Sequence, residues 1–161
     1  MEQLTDVISY MQSKNVAHRD LKLENIMIDD KLNAVIGDFG FATFKHVNQL
    51  SSYRGTKTYM APEIKEGKTY DGKQTDMFSL GVILFIIVQC LFPFAEARGD
   101  DYYYNLLLTG QLEKYWEKTN GANLSPEFKD LVLRMLSHDP AKRITIEELK
   151  QHPWMQKPFN I

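Results

Sequence analysis

The sequence predicts a mainly α-helical domain that carries one small β-hairpin, and three patterns predict it. Leu4, Val7, Ile8 and Met11 recur at i, i+3, i+4 and i+7, the stripe of an amphipathic helix ending near Lys14 and Asn15. Two short apolar runs, Ile26-Met27-Ile28 and Ala34-Val35-Ile36, bracket the polar turn formers Asp29 to Asn33, which is a hairpin pattern. Everything after Asp76 reads as helix, so helices outnumber strands and the hairpin must lie on a helical body.

Taken in order, the first helix leads into His18-Arg19-Asp20-Leu21-Lys22-Leu23-Glu24-Asn25, a charged loop between helix and hairpin, and Gly37-Asp38-Phe39-Gly40 closes the far strand. From Phe41 to about Thr75 no period holds and Gly, Ser, Thr, Lys and Pro recur. This predicts a long loop with one helical turn near Pro62-Glu63-Ile64, and loops of such length inside a compact domain are usually functional. Helices follow from Asp76 to Cys90, near Tyr102 to Leu108, from Ser125 to Leu136 and from Thr145 to Gln151. Ser125 and Thr145 have N-cap character, Pro126 suits a first helical position, and Glu148 completes a capping box with Thr145. The aromatic cluster Tyr102, Tyr103, Tyr104, Tyr115 and Trp116 reads as packing around a helix boundary rather than as a docking surface.

Composition excludes several function classes. Nineteen Lys and Arg against 21 Asp and Glu give a net charge of −2, without the basic excess that binding nucleic acid or an anionic membrane requires. The single cysteine, Cys90, forms no internal disulfide, and no Cys/His cluster has zinc spacing, which points to a reducing compartment. The N-terminus lacks the uninterrupted apolar segment of a secretory signal. The most apolar run, Leu80 to Phe94, contains Gln89 and Pro93 and falls short of the roughly 20 residues a bilayer crossing needs, so it reads as a buried core helix. The expected location is the cytoplasm, with the nucleus open.

The chemistry concentrates in the charged loop. Asp20 is an acceptor able to take a hydroxyl proton, Lys22 a point charge suited to phosphate, and Asn25 an amide oxygen for a hard cation. The hairpin returns Asp38 to the same spot. One base, one ammonium and two oxygen ligands are what transfer of a metal-bound phosphoryl group to an alcohol needs.

His-Arg-Asp-Leu-Lys-x-x-Asn, a hairpin, Asp-Phe-Gly, and then Ala-Pro-Glu ending 25 residues after Asp38 together resemble the C-terminal lobe of a eukaryotic protein kinase. The resemblance covers essentially the whole chain. Lys22-Leu23-Glu24-Asn25 resembles serine/threonine kinases, and Leu23, Asp38 to Ala42 and Ala141 to Thr145 look most like the calcium/calmodulin-dependent and AMP-activated branch. The resemblance implies a partial kinase domain over 1–161, with a catalytic loop at 16–25, an activation segment at 38–63 and a helical subdomain at 75–158. It implies phosphoryl transfer from ATP with Mg²⁺ to protein serine and threonine hydroxyls. Asp20 matches the catalytic aspartate, Lys22 the lysine on the γ-phosphate, and Asn25 and Asp38 the magnesium ligands, while the backbone around Glu24 would face the ribose. His18 matches a scaffold histidine propping the magnesium-binding turn, and Arg19 an arginine that pairs with a phosphorylated activation segment. Ser52 resembles the regulatory phosphosite and Thr56 the threonine that contacts the catalytic aspartate and lysine. Glu63 should pair with Arg143, and Asp76, capping the apolar helix, should accept N–H groups from the catalytic loop. Phe78 stands where tryptophan is usual, and Lys57 replaces the common proline after Gly55-Thr56.

The upper half of such a site, a glycine-rich loop and a strand lysine, is not legible in these residues: no glycine precedes Gly37. The fold expectation is therefore a kinase-like C-terminal lobe with the N-terminal β-lobe absent. The alternative reading is a catalytically incompetent kinase-like binding module. Either way Ile26, Ile28, Val35 and Ile36 are expected to form an exposed apolar patch that promotes self-association.

Overall fold

The computed structural model describes residues 1–156. The last residues of the expected helical subdomain, 157–158, and the end of the chain to 161 lie outside the described residues. The elements run α1 (Glu2–Ser13), β1 (Ile26–Ile28), β2 (Ala34–Ile36), α2 (Pro62–Lys65), α3 (Gly72–Gln89), α4 (Tyr102–Leu108), α5 (Leu112–Lys118), α6 (Pro126–Met135), α7 (Ile146–Gln151) and α8 (Pro153–Gln156). The expected class, mainly helical with one small antiparallel sheet, is the observed one.

The core is organised around α3. Its residues are apolar on every side, so it can only be central, and every residue from Thr75 to Phe85 is buried. It packs on α6, while α1 packs on β2 and α7, and α8 closes over α6 and α7. The contact with α6 is close at Gly81, where an added Cβ would stand 2.7 Å from the Met135 Cβ. Gly81→Val is accordingly expected to cost about 2 kcal/mol by overpacking, read as a lower urea midpoint at unchanged slope; an unchanged midpoint would contradict this packing.

α1 buries Leu4, Ile8 and Met11 of the predicted stripe and leaves Val7 half-buried. The hairpin pairs Ile26 with Ile36, Met27 with Val35 and Ile28 with Ala34. Successive side chains on a strand point to opposite faces. Ile26, Ile28 and Ile36 thus share one face and Met27 and Val35 the other, and the expected four-residue apolar patch is corrected at Ile36, which lies where α1 packs on β2 and is buried. Met27, Ile28 and Val35 are exposed and Ile26 is half-buried.

α3 begins four residues before the expected Asp76. Asp71 is its N-cap, accepting from Lys73 N, and Asp76 lies inside the helix. The first turn, Gly72 to Thr75, is polar, so the apolar pattern starts a turn late. α5 is not foreseen at all, because seven residues are too few to establish a period; Tyr115 and Trp116 anchor it in the core. Tyr104 is buried as well, whereas Tyr102 and Tyr103 face solvent. Ser125 and Thr145 cap α6 and α7, the latter through a full capping box with Glu148. Bridges from Ala17 to Thr43 and from Leu50 to Tyr70 pin the long loop, which ends in the short helix α2. Among the described residues no helix is long and apolar enough to cross a membrane.

Candidate active site

The loop before the hairpin is held in a conformation its sequence would not choose. Arg19 has a positive φ of 68°, a left-handed region uncommon for any residue with a Cβ. Asp76, buried within α3, fixes it from below by accepting from His18 N at 2.7 Å and Arg19 N at 2.8 Å. Burial pushes the Asp76 carboxyl up to about 7, against those two N–H groups, which favour its charged form. A carboxyl that binds its proton more tightly when folded contributes stability at low pH and loses it as pH rises toward 7. The stability of the wild type relative to Asp76→Asn is thus expected to grow as pH falls from 7 to about 4, by at most about 1.4 kcal/mol per pH unit. Chemical denaturation of both proteins across that range checks this, and the opposite slope would contradict it.

With Arg19 fixed, Asp20 points into a small polar cluster. Its Oδ1 accepts both the Thr56 N–H and the Thr56 hydroxyl at 2.8 Å, and its Oδ2 accepts from Lys22 Nζ at 2.9 Å. Lys22 Nζ also donates to Thr56 Oγ1 at 3.1 Å, closing a triangle. Burial pushes the Asp20 carboxyl up, but the bonds from Lys22 and Thr56 outweigh it and hold the group below its ordinary value. The same bond to Asp20 raises Lys22, so both stay charged at neutral pH. Thr56 reaches Asp20 because Gly55 lets the chain pass against the Arg19 carbonyl. Its φ is +116°, and a Cβ there would stand 2.8 Å from Arg19 O.

The second cluster lies on the hairpin side. Asn25 donates from Nδ2 to Asp20 O at 2.9 Å, and no hydrogen bond among the described residues occupies its amide oxygen. Gly37 N donates to Asn25 O at 2.8 Å, which brings Asp38 beside Asn25. Asp38 is exposed, in a left-handed conformation, with one carboxylate oxygen on Gly40 N. His18 spans the two clusters. Its Nε2 donates to Gly37 O at 2.9 Å and its Nδ1 accepts from Asp20 N at 3.3 Å, which is the pattern of a neutral ring. Burial lowers its pKa in agreement, and Phe39 packs edge-on against it at 4.9 Å.

The remaining sequence-selected residues frame this core. Arg19 donates to Phe41 O at 2.6 Å and to Ser52 Oγ at 3.1 Å, tying the start and the middle of the long loop to the stretch before the hairpin. Glu63 and Arg143 are buried against each other in a two-pronged pair at 2.8 and 3.0 Å. Glu24 is exposed and accepts from the Tyr59 hydroxyl at 3.3 Å. Three participants escape sequence reasoning: Tyr59, Asp71, and Met27, whose Cε lies 2.8 Å from where a Gly37 Cβ would be and so gives the Asn25 and Asp38 side an apolar surface. The only signals for Met27 are its place between two isoleucines on a strand and the glycine just past the facing strand.

A hard cation fits this donor set. Asn25 and Asp38 offer two oxygens, and magnesium typically takes one or two protein oxygens and completes its shell with water and substrate phosphates. Among the described residues no cluster of three or more His, Cys, Asp or Glu forms a closed metal cage, so the donors suit a metal that arrives with a ligand.

Comparison with known proteins agrees with this geometry. The protein kinase domain family matches residues 1–155. Human SNF-related serine/threonine-protein kinase is 41% identical over 96% of the chain, chicken serine/threonine-protein kinase SIK2 38% over 96%, and rice CBL-interacting protein kinase 24 is 38% identical over 98%. The chain spans 20%, 18% and 34% of those relatives' lengths, respectively. A family match across nearly every residue, with these relatives, means that the chain belongs to the protein kinase domain family, on its serine/threonine side.

Proposed function

We propose that these residues form the acceptor and metal half of a serine/threonine kinase site, which moves the γ-phosphoryl group of Mg-ATP to a protein hydroxyl. The observation that carries this reading is the single hydrogen-bonded network joining Asp20, Lys22, Thr56 and Asn25 to the Asp38 turn. A carboxylate has about four lone-pair sites. Thr56 and Lys22 take three of those on Asp20, leaving room for one substrate hydroxyl, which Asp20 would orient and whose proton it would accept. Lys22 would steady the phosphoryl oxygens, and the backbone around Glu24 would face the ribose. Asn25 and Asp38 would hold magnesium, which when bound neutralises charge on the transferred phosphates. His18 would keep the Gly37 carbonyl and hence the Asp38 turn in place as a scaffold.

In this reading 16–25 is the catalytic loop, 38–63 the activation segment and 75–158 the helical subdomain. A phosphate on Ser52 would add about −1.5 to −2 charges beside Arg19. It would thereby order the segment, and slower amide hydrogen exchange over 42–52 on phosphorylation, abolished by Arg19→Ala, is the expected sign. Residues 1–161 alone, with no glycine before Gly37, are expected to bind Mg-ATP weakly, in the millimolar range, with negligible turnover; the order of magnitude reflects about 4 kcal/mol of phosphate and metal contacts without an adenine grip. Calorimetric titration tests this, and micromolar affinity with measurable transfer would overturn it. The exposed Met27, Ile28 and Val35 support self-association, which concentration-dependent sedimentation would register.

A further inference from the structure

We propose that Lys57 makes this site prefer peptides in which a residue adjoining the acceptor serine or threonine carries a carboxylate; the inference rests on the kinase reading above. An acceptor hydroxyl brought to Asp20 lies beside Thr56, whose N–H and O–H both bond Asp20 Oδ1. Lys57 is the next residue along the chain. Consecutive Cα atoms are about 3.8 Å apart and the lysine stem is long and flexible, so its ammonium covers the acceptor's immediate neighbour.

The charge is not consumed within the chain. Lys57 is exposed, and its ammonium makes no hydrogen bond or ion pair among the described residues. Glu96 feels the charge of Lys57 but is held by Lys65 Nζ at 2.7 Å. Asp100 is bound to Arg98 at 3.0 and 3.1 Å. Glu63 belongs to Arg143, and Glu66 pairs with Lys68 and lies 3.4 Å from His138. Each of these carboxylates has its own cation, and Lys57 is left over. Arg54, with its guanidinium 5.6 Å from the Phe41 ring centre, adds a second positive charge to the same stretch. Lys57 and Arg54 thus flank Gly55-Thr56 with two positive charges, although the chain as a whole is slightly acidic.

The test is fluorescence anisotropy with the full 161-residue chain and labelled peptides that contain one central serine, an aspartate being walked through each flanking position in an alanine background. Aspartate adjoining the serine is expected to tighten binding about two- to fivefold over alanine, the scale of an exposed ion pair. The gain should largely disappear near 1 M salt, where the Debye length falls to about 3 Å. Lys57→Glu should invert it, favouring lysine at that position. Equal affinities across the series, or an aspartate preference that survives in Lys57→Glu, would overturn the role of Lys57 and leave the phosphoryl-transfer reading standing. A chain that binds none of the peptides would overturn both.

Discussion

Arg143→Met is expected to destabilise the fold by about 3–5 kcal/mol, because it strands the Glu63 carboxylate in the interior. The Arg143 side chain is fully buried, and its guanidinium is satisfied on every edge: Glu63 at 2.8 and 3.0 Å, the Gln74 carbonyl at 2.8 Å and the Ser137 carbonyl at 3.0 and 3.2 Å. The Phe78 ring lies beneath it at 5.1 Å. The residue therefore ties α2 to α3 and to the loop after α6, and so fixes the far end of the segment that carries Thr56. Arg143→Lys keeps the charge but loses the planar fork and should recover only part of the loss. The double replacement Glu63→Leu with Arg143→Met should be milder than Arg143→Met alone, since no charge is left unpaired. Urea titrations of the three variants check the ordering, and a double variant worse than the single one would contradict it.

Asp20→Asn is expected to lower phosphoryl transfer by about 10²- to 10⁴-fold while leaving the fold intact. Asparagine keeps the shape and can still accept from Thr56 N, but it loses the charge that Lys22 compensates and the basicity that takes the hydroxyl proton. The measurement is transfer of radiolabelled γ-phosphate to a serine peptide by residues 1–161 joined in frame to a β-lobe that supplies the glycine-rich loop and strand lysine. A loss smaller than about tenfold would mean that Asp20 is not the group that accepts the proton.

Much of both fold and site is legible in the sequence because the informative contacts are local. The α1 stripe, the hairpin, and the Ser125 and Thr145 caps each depend on residues within one or two turns of one another. Of the candidate site residues, those from His18 to Asn25 and Asp38 fall in two short stretches that the hairpin joins, whereas Ser52, Thr56, Glu63, Asp76 and Arg143 come from far along the chain and are legible only through the family resemblance. What escapes depends on distance along the chain. Local pattern reads Asp76 only as a helix start; that its carboxylate serves a loop 57 and 58 residues away is expected from the family resemblance alone. The contact between Tyr59 and Glu24 crosses 35 residues and leaves no periodic trace. Ile36 reads like its three apolar neighbours and is buried because α1 packs on β2, a contact that the strand pattern does not announce.

The central claim is that Asn25 and Asp38 hold the metal of a nucleotide whose phosphate faces Lys22 and Asp20. It is tested most directly by titrating the chain with Mn-ATP and following paramagnetic broadening of its backbone amide signals. Broadening is predicted to centre on residues 22–26 and 37–40 and to disappear in Asp38→Asn. Broadening centred elsewhere, or unchanged in Asp38→Asn, would contradict the account.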